Sequence, residues 1–273
     1  MGRILAINSN TYHGFPLEDA VRGIADAGFR YIELTATKGW TEHVYPDHSL
    51  RQLFRVQDML KDAGLTPFAM SGHTNLTDPA RAGDFRDNIR LASFFGSRYI
   101  VSSIGEAHLK DGHVADLDET VRCIASFVPE LKARDMTLVL ETHGYDHGTG
   151  KILSDVVDRV GSEYVRINYD TANVIFYGRT DPAADLAACV DNVAYLHIKD
   201  KAGPDDVWDF PAPGKGRIDF DAVFDTLRRA GNGSPFSVEI EFTPEGPKNL
   251  AEVDQAVRDS AAFFRSKGFS LEG

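Results

Sequence analysis

Short runs rich in apolar and β-branched residues alternate along the chain with longer segments whose apolar residues recur at helical spacing. Eight of these runs are predicted to be strands: Arg3–Asn8, Tyr31–Leu34, Pro67–Ser71, Tyr99–Ser103, Thr137–Glu141, Val165–Asp170, Val193–Lys199 and Phe236–Phe242. Strictly alternating strands and helices form a parallel sheet. Eight repeats of about 34 residues match a closed barrel better than an open sheet, so we predict an α/β fold with a single (β/α)₈ TIM barrel.

Glycines punctuate the predicted helices. Five of them stand where a left-handed C-cap is expected, with the next strand only a few residues further on: Gly28, Gly64, Gly96, Gly161 and Gly231. The first strand is not followed by a glycine-rich dinucleotide fingerprint, which argues against an open doubly wound sheet. Because the chain shows no linker, low-complexity tract or break in composition, we expect residues 1–273 to form one domain.

The charge and the hydropathy of the chain limit its partners. The formal charge of −12 argues against broad contact with phosphate backbones, so no nucleic-acid partner is expected. No apolar run is long enough to span a bilayer, and the first residues lack the pattern of a signal peptide. We therefore expect no membrane partner and a cytoplasmic location, while a homo-oligomer stays open.

Polar residues alternate with apolar ones on the later strands. His197 and Lys199 share one face of their strand, opposite Leu196 and Ile198, and Glu33 has the same relation to its neighbours. The apolar face suits the outer helices, so the polar face is predicted to point into the barrel. Ionisable groups are rarely buried there without partners. Separate ion pairs would neutralise them one at a time, whereas a metal ion near the barrel axis would neutralise several together.

Four consecutive late strands carry oxygen or imidazole ligands near their C-terminal ends, where active sites form in such barrels: Glu141, Asp170, His197 and Glu239. A single carboxylate at a strand end is usually solvated or paired, so the prediction depends on all four occurring together. Three carboxylates and one imidazole suit one divalent ion such as Mn²⁺, Mg²⁺ or Co²⁺, with Zn²⁺ as an alternative. Glu241 has the same parity as Glu239 and is the competing ligand on the last strand.

Several segments resemble the xylose-isomerase-like barrel superfamily, which includes sugar isomerases and epimerases, inosose dehydratase and type IV endonucleases. These segments are LETHG, YDTANVIFYG, YLHIKDK, GKGRIDF and SVEIE. The resemblance spans nearly the whole chain and implies that Glu141, Asp170, His197 and Glu239 bind one metal. In the ketose 3-epimerases of this family two metal-bound glutamates exchange a proton with the substrate through an enediolate. The resemblance therefore implies that Glu141 and Glu239 are the acid/base pair.

Two positions depart from the ketose 3-epimerase pattern. Asn173 stands in DTAN where those enzymes often carry His, and Arg217 is the nearest arginine after HIKD. These departures weaken the specific assignment as a ketose 3-epimerase but leave the metal site intact.

Residues near the strand ends are candidates for contact with the substrate. His143 is predicted to act as a general base or as a substrate contact, with an ordinary loop histidine as the alternative. Four more are predicted to bind substrate: His73, Lys199, Asn173 and Trp40. Lys199 has the alternative of pairing with Glu241 or Asp200, and Trp40 that of loop packing. Glu33 is interpreted as a supporting carboxylate.

These features predict a metal-dependent isomerase or epimerase whose partner is a small sugar or polyhydroxy ketone. The alternative is a metal-dependent lyase or dehydratase acting on a keto-sugar or keto-cyclitol, with His143, His73 or Lys199 as the acid near the departing oxygen. An endonuclease would need more metal ligands and a basic surface. A non-catalytic sugar-binding barrel would not need metal-bound acid/base carboxylates.

Overall fold

The computed structural model describes residues 3–105 and 115–272, and there eight parallel strands close into a barrel in chain order. The strands are β1 (Leu5–Asn8), β2 (Tyr31–Thr35), β3 (Thr66–Ser71), β4 (Tyr99–Ser102), β5 (Thr137–Glu141), β6 (Val165–Asp170), β7 (Val193–Ile198) and β8 (Phe236–Val238). The predicted (β/α)₈ barrel is confirmed. Two predicted strands, β5 and β6, have the predicted bounds, and most of the others differ by one or two residues.

Helices lie between the strands in sequence and after the last strand, and most of them cover the outside of the barrel. They are α1 (Leu17–Asp26), α2 (Leu50–Asp62), α3 (Ala82–Phe94), α4 (Leu117–Ala125), α5 (Val128–Ala133), α6 (Gly150–Val160), α7 (Asn173–Phe176), α8 (Pro182–Cys189), α9 (Phe220–Arg229) and α10 (Leu250–Ser266). Short 3₁₀ helices span Ser9–Tyr12 and Val190–Asn192. A capping box between Ser49 and Gln52 begins α2. None of the helices in the described ranges has the length and apolarity that a bilayer crossing requires.

The last strand ends earlier than predicted. The run Phe236–Phe242 keeps its alternation in sequence, but β8 stops at Val238. Beyond it the backbone N–H of Ile240 donates to the hydroxyl of Thr11 instead of to a neighbouring strand, at 3.1 Å. Phe242 has φ 57° and forms an isolated antiparallel bridge with Phe210. The chain therefore leaves the sheet, and Glu239 lies just past the strand end.

All five predicted capping glycines have positive φ, between 64° and 94°. Gly161 follows α6 in the left-handed conformation, and its N–H bonds the carbonyl of Val157 at 3.0 Å. A residue with a Cβ would be strained there, so glycine ends the helix and turns the chain toward β6.

The barrel wall separates two of the three apolar clusters found among the described residues. The main core lies between strands and helices and includes the outward residues Ile32, Leu34, Leu196 and Ile198. A smaller buried cluster on the opposite strand faces consists of Ala69, Val101, Val139 and Tyr195. The polar residues of those same faces stand toward the C-terminal strand ends, so the smaller cluster forms the floor beneath them.

Candidate metal centre and active site

The four predicted ligands meet at the C-terminal end of the barrel. Glu141 ends β5, Asp170 ends β6, His197 lies in β7 and Glu239 follows β8. One ligand atom from each lies within 4.8 Å of all the others, and all four residues are buried. The strand register pairs Asp170 directly with His197. This buried group could hold a metal ion.

The two carboxylate oxygens of Asp170 have different surroundings. Oδ1 accepts the backbone N–H groups of Ala172 at 2.9 Å and Asn173 at 2.8 Å. Oδ2 is buried and has no hydrogen-bond partner among the described residues. It lies 3.8 Å both from His197 Nδ1 and from Lys199 Nζ. A buried acceptor without a donor is costly, and a cation coordinated there would satisfy it.

The two ring nitrogens of His197 face different carboxylates. Its Nδ1 lies 2.8 Å from Glu141 Oε1 and 3.6 Å from Glu239 Oε2. Its Nε2 lies 3.1 Å from Glu33 Oε2. If Nε2–H donates to Glu33, the lone pair of Nδ1 faces the four-residue group, which is the tautomer that a metal ligand requires.

Glu33 is held rigidly beneath His197. The hydroxyl of Ser71 donates to its Oε1 at 2.6 Å, and the hydroxyl of Tyr195 donates to its Oε2 at 3.0 Å. Glu33 itself is fully buried. A carboxylate that orients a histidine ligand raises the basicity of that ligand and stabilises its tautomer.

Replacing Glu33 with Gln is expected to weaken divalent-metal affinity by about 10- to 100-fold, because a neutral amide orients His197 less strongly and lowers its basicity. Titration calorimetry with Mn²⁺ would measure the change. The control is Glu18→Gln, since Glu18 is an exposed carboxylate of α1. Equal affinities for the two variants would show that Glu33 does not govern the metal site.

Glu239 is held by donors that end or follow β1 and β7, the two strands that flank β8. Its Oε1 accepts the side-chain amides of Asn8 at 3.1 Å and Asn10 at 3.0 Å, and its Oε2 accepts Lys199 Nζ at 3.2 Å. Burial opposes its ionisation, but Lys199 and His197 outweigh burial and lower the pKa of Glu239 to about 2. Asn8 and Asn10 were not predicted from the sequence, although polar residues at the end of the first strand were an available signal.

Lys199 lies among carboxylates and is only 2% exposed. Its Nζ forms a close ion pair with Glu241 and contacts Glu239 as well. Burial alone would lower the pKa of Lys199, but the carboxylates raise it well above its usual value. Of the two alternative partners predicted for Lys199, Glu241 is correct. Asp200 faces away and accepts backbone N–H groups of the following loop.

The carboxylates of this site, four of them buried and that of Glu241 half-buried, outnumber its cations. The carboxylates are those of Glu33, Glu141, Asp170, Glu239 and Glu241, against Lys199 and, when protonated, His197. Burial raises the pKa of Glu141, and it raises those of Asp170 and Glu241 to about 7. The site therefore lacks positive charge, and a divalent cation fits both this deficit and the donor set.

A cavity opens directly above the four-residue group. Glu141 and Glu239 line it, whereas Asp170 and His197 are not among its described lining residues. Every residue predicted to act on or bind substrate lines the same cavity: His143, His73, Lys199, Asn173 and Trp40. Tyr177 and Trp208 complete much of the rim. The tertiary structure thus brings together candidates that are spread over the sequence from Trp40 to Glu239.

The two histidines of the cavity have different contacts. His73 Nε2 lies 2.8 Å from Glu141 Oε2. His143 Nε2 lies 3.3 Å from the hydroxyl of Tyr177, a residue that was not among the predicted site residues. Burial raises the pKa of that Tyr177 hydroxyl, so it stays protonated and available as a donor. Arg217 pairs with Asp205 and is absent from the described cavity lining.

The loop after β7 is anchored by Asp200. Its Oδ2 accepts the N–H groups of Gly214 and Gly216, each at 2.8 Å. A Cβ on Gly216 would stand 2.3 Å from Asp200 Oδ1, so only glycine allows this approach. The GKG segment thereby holds the irregular loop that carries Trp208 to the cavity rim.

The model of one protein family, described as xylose isomerase-like TIM barrel, matches residues 21–267. The chain belongs to this family. No curated protein is significantly similar to it in sequence.

Several solved structures share the fold of this chain. One similar structure is a D-allulose 3-epimerase from Methylomonas sp., with 17% identity, TM-score 0.78, and coverage of 98% of this chain and 99% of that one. Another is a xylose isomerase-like TIM barrel protein from Mycobacterium smegmatis in complex with magnesium (18% identity, TM-score 0.74, 97% of each chain). A third is an IOLI protein with a bound zinc atom (21% identity, TM-score 0.77, 99% and 100% of the chains).

Proposed function

We propose that this chain is a divalent-metal-dependent sugar isomerase or epimerase that transfers a proton beside a carbonyl. The observation that carries the proposal is the placement of Glu141 and Glu239. Both belong to the buried group that could hold a metal, and both also line the cavity above it. Asp170 and His197 belong to the same group but are not among the described residues that line the cavity. The two glutamates are therefore the members able to reach a substrate carbon.

The proposed acid/base chemistry uses one glutamate to remove a proton and the other to return one. Glu141 or Glu239 accepts the proton from the carbon beside the carbonyl, and the C–H electron pair moves toward the carbonyl to give an enediolate. Delivery of a proton to the other face inverts the carbon, whereas delivery to the neighbouring carbon isomerises the sugar. A bound divalent cation would supply Lewis acidity, which stabilises negative charge on the carbonyl oxygen by several kcal/mol.

Neighbouring side chains would hold the acid/base pair in position. His73 contacts Glu141, and Asn8 and Asn10 donate to Glu239, so neither carboxylate needs to reorganise when substrate enters. Asn173 supports a sugar substrate, because its amide nitrogen is buried at the cavity without a hydrogen-bond partner in the described part of the chain. A substrate hydroxyl or carbonyl would satisfy that donor.

The metal we propose is Mn²⁺, Mg²⁺ or Co²⁺, with Zn²⁺ as an alternative, because three carboxylates and one imidazole make a mainly oxygen donor set. The partner we propose is a small sugar or polyhydroxy ketone and not a nucleic acid. A single domain over residues 1–273 and a cytoplasmic location belong to the same proposal.

A lyase or dehydratase is the second candidate, and the pair formed by His143 and Tyr177 favours it. Both line the cavity, and their polar atoms lie 3.3 Å apart. Elimination begins with the same proton removal but then needs an acid beside the departing oxygen. His143, with its proton supplied through Tyr177, stands in a suitable place for that role.

Proton NMR in D₂O would test the proposed function. Protein loaded with Mg²⁺ or Zn²⁺ is mixed with a panel of ketoses, keto-sugars and inososes. We expect deuterium to enter a carbon beside the carbonyl of at least one compound. The product then separates the two candidates, because only elimination creates an unsaturated ketone.

The Glu239→Gln variant sharpens this test. Loss of the carboxylate is expected to slow exchange by about 10²- to 10⁴-fold, the usual contribution of a positioned acid or base. Glu18→Gln is again the matched surface control. An absence of exchange across the panel, in protein shown to hold metal, would reject sugar enolisation as the function.

A further inference from the structure

A second and larger cavity adjoins the one above the metal group. This groove has a volume of about 560 Å³, within the usual range for small-molecule sites. Its apolar walls come from two distant loops and from the segment after β8: Trp40, Trp208, Ile240, Phe242, Pro244 and Pro247. The proposed proton-transfer chemistry uses none of this apolar surface.

The groove and the catalytic cavity are continuous. Four residues line both: Asn10, Trp40, Trp208 and Glu241. Polar groups therefore stand at one end of the combined site and apolar walls at the other, with the two indole rings at the junction. A ligand that filled both parts would itself have a polar end and an apolar end.

The walls of the groove are held in place by ring packing. His13 stacks on Trp40 with 4.1 Å between ring centroids and 14° between planes, and His13 Nδ1 bonds the hydroxyl of Thr41 at 2.7 Å. Trp208 packs edge-on against Phe210 at 4.9 Å. Phe210 exchanges two backbone hydrogen bonds with Phe242, at 2.8 and 3.0 Å. The groove is therefore formed before any ligand arrives, which lowers the entropic cost of binding.

We propose that the groove binds an aromatic aglycone, so that the substrates of this enzyme are aryl glycosides whose sugar ring carries a keto group, or similar aromatic conjugates of a keto-sugar. The inference rests on the proposed function, since the sugar part would occupy the cavity above Glu141 and Glu239. A free monosaccharide carries hydroxyl groups around its ring and would leave the apolar walls in contact with water. A flat aromatic group would stack on the indoles and bury them.

Intrinsic fluorescence provides a direct measurement, because Trp40 and Trp208 are the two tryptophans of the chain and both line the groove. The protein is loaded with Mg²⁺ and titrated with phenyl β-D-glucoside and, separately, with methyl β-D-glucoside. We expect the phenyl compound to quench fluorescence and to bind about tenfold more tightly or better, since it buries additional apolar area. Equal affinities, or no binding of either probe, would overturn the inference.

The second experiment uses a variant whose larger side chain fills the groove. Thr243 is exposed, lines the groove and is not among the described lining residues of the catalytic cavity. Thr243→Phe is expected to reduce the affinity ratio of the two probes to about one. Thr243→Ser is the matched control, because it keeps the hydroxyl that donates to Glu245 at 2.7 Å, and it should retain the wild-type ratio. An unchanged ratio in Thr243→Phe would overturn the inference.

The outcomes separate this inference from the proposed function. Deuterium exchange in small keto-sugars without a preference for the phenyl probe would leave the proposed function intact and reject the aromatic subsite. A phenyl preference without exchange would keep the subsite and reject the enolisation chemistry. Sedimentation of the wild-type protein and of Thr243→Phe tests whether a second copy of the chain occupies the groove. A dimer that dissociates in the variant would assign the groove to that second copy and overturn the inference.

Discussion

Replacing Asp170 with Asn is expected to lower divalent-metal affinity by at least about 100-fold and to abolish activity. This loss of affinity is larger than the one expected for Glu33→Gln, because Glu33 contacts His197 and is not itself one of the four candidate ligands. Asn keeps an oxygen that accepts the N–H groups of Ala172 and Asn173, so the start of α7 is retained. What changes is Oδ2, the buried oxygen that has no donor among the described residues. The substitution puts an NH₂ group there, which cannot coordinate a cation.

The measurements are titration calorimetry with Mn²⁺ and thermal unfolding of the metal-free protein. The metal-free variant should unfold at or above the wild-type temperature, because one of several crowded carboxylates has become neutral. Asp200→Asn is the control, since Asp200 is also a buried aspartate at this barrel end but binds loop N–H groups. Wild-type metal affinity in Asp170→Asn would refute the four-residue site.

Replacing Lys199 with Met is expected to destabilise the metal-free protein by about 3–5 kcal/mol, the usual cost of removing one member of a buried charge group. The substitution leaves Glu239 and Glu241 facing each other without their shared cation. Added Mn²⁺ should therefore raise the unfolding temperature more in Lys199→Met than in the wild type, because the ion supplies part of the missing charge. Differential scanning calorimetry with and without metal measures both effects.

Two further variants control this prediction. Lys199→Met combined with Glu241→Gln should regain much of the lost stability, because a carboxylate and its cation are then removed together. Lys38→Met should have little effect, since Lys38 pairs with Asp84 on the surface and its side chain is 60% exposed. A stability loss of the same size in the double variant would show that packing, and not charge, explains the role of Lys199.

The order of elements could be predicted from the sequence because it depends on local periodicity. Eight apolar runs separated by helical patterns allow essentially one parallel arrangement, and the positive φ of the five capping glycines follows from the same local chemistry. The four clustered ligands were predictable for a related reason. Parallel strands bring their C-terminal ends to one side of a barrel, so ligands at those ends must come close together.

The contacts that define the site in detail depend on residues far apart in the chain, and only the tertiary structure decided them. The sequence left Lys199 with two alternative partners, Glu241 and Asp200, and the chain path after β8 selected Glu241. Where the chain leaves the sheet, the N–H of Ile240 donates to the hydroxyl of Thr11, which follows the neighbouring strand β1.

Two other features also depend on residues far apart in the chain. They are the hydrogen bonds that Asn8 and Asn10 donate to Glu239, and the groove formed by Trp40, Trp208 and the segment after β8. Local patterns determine which elements form and which of their faces are polar. The choice among partners of similar chemistry depends on distances between side chains that are far apart in the chain. Tyr195 and Glu33, for example, are separated by 162 residues. Those distances exist only once the barrel has closed.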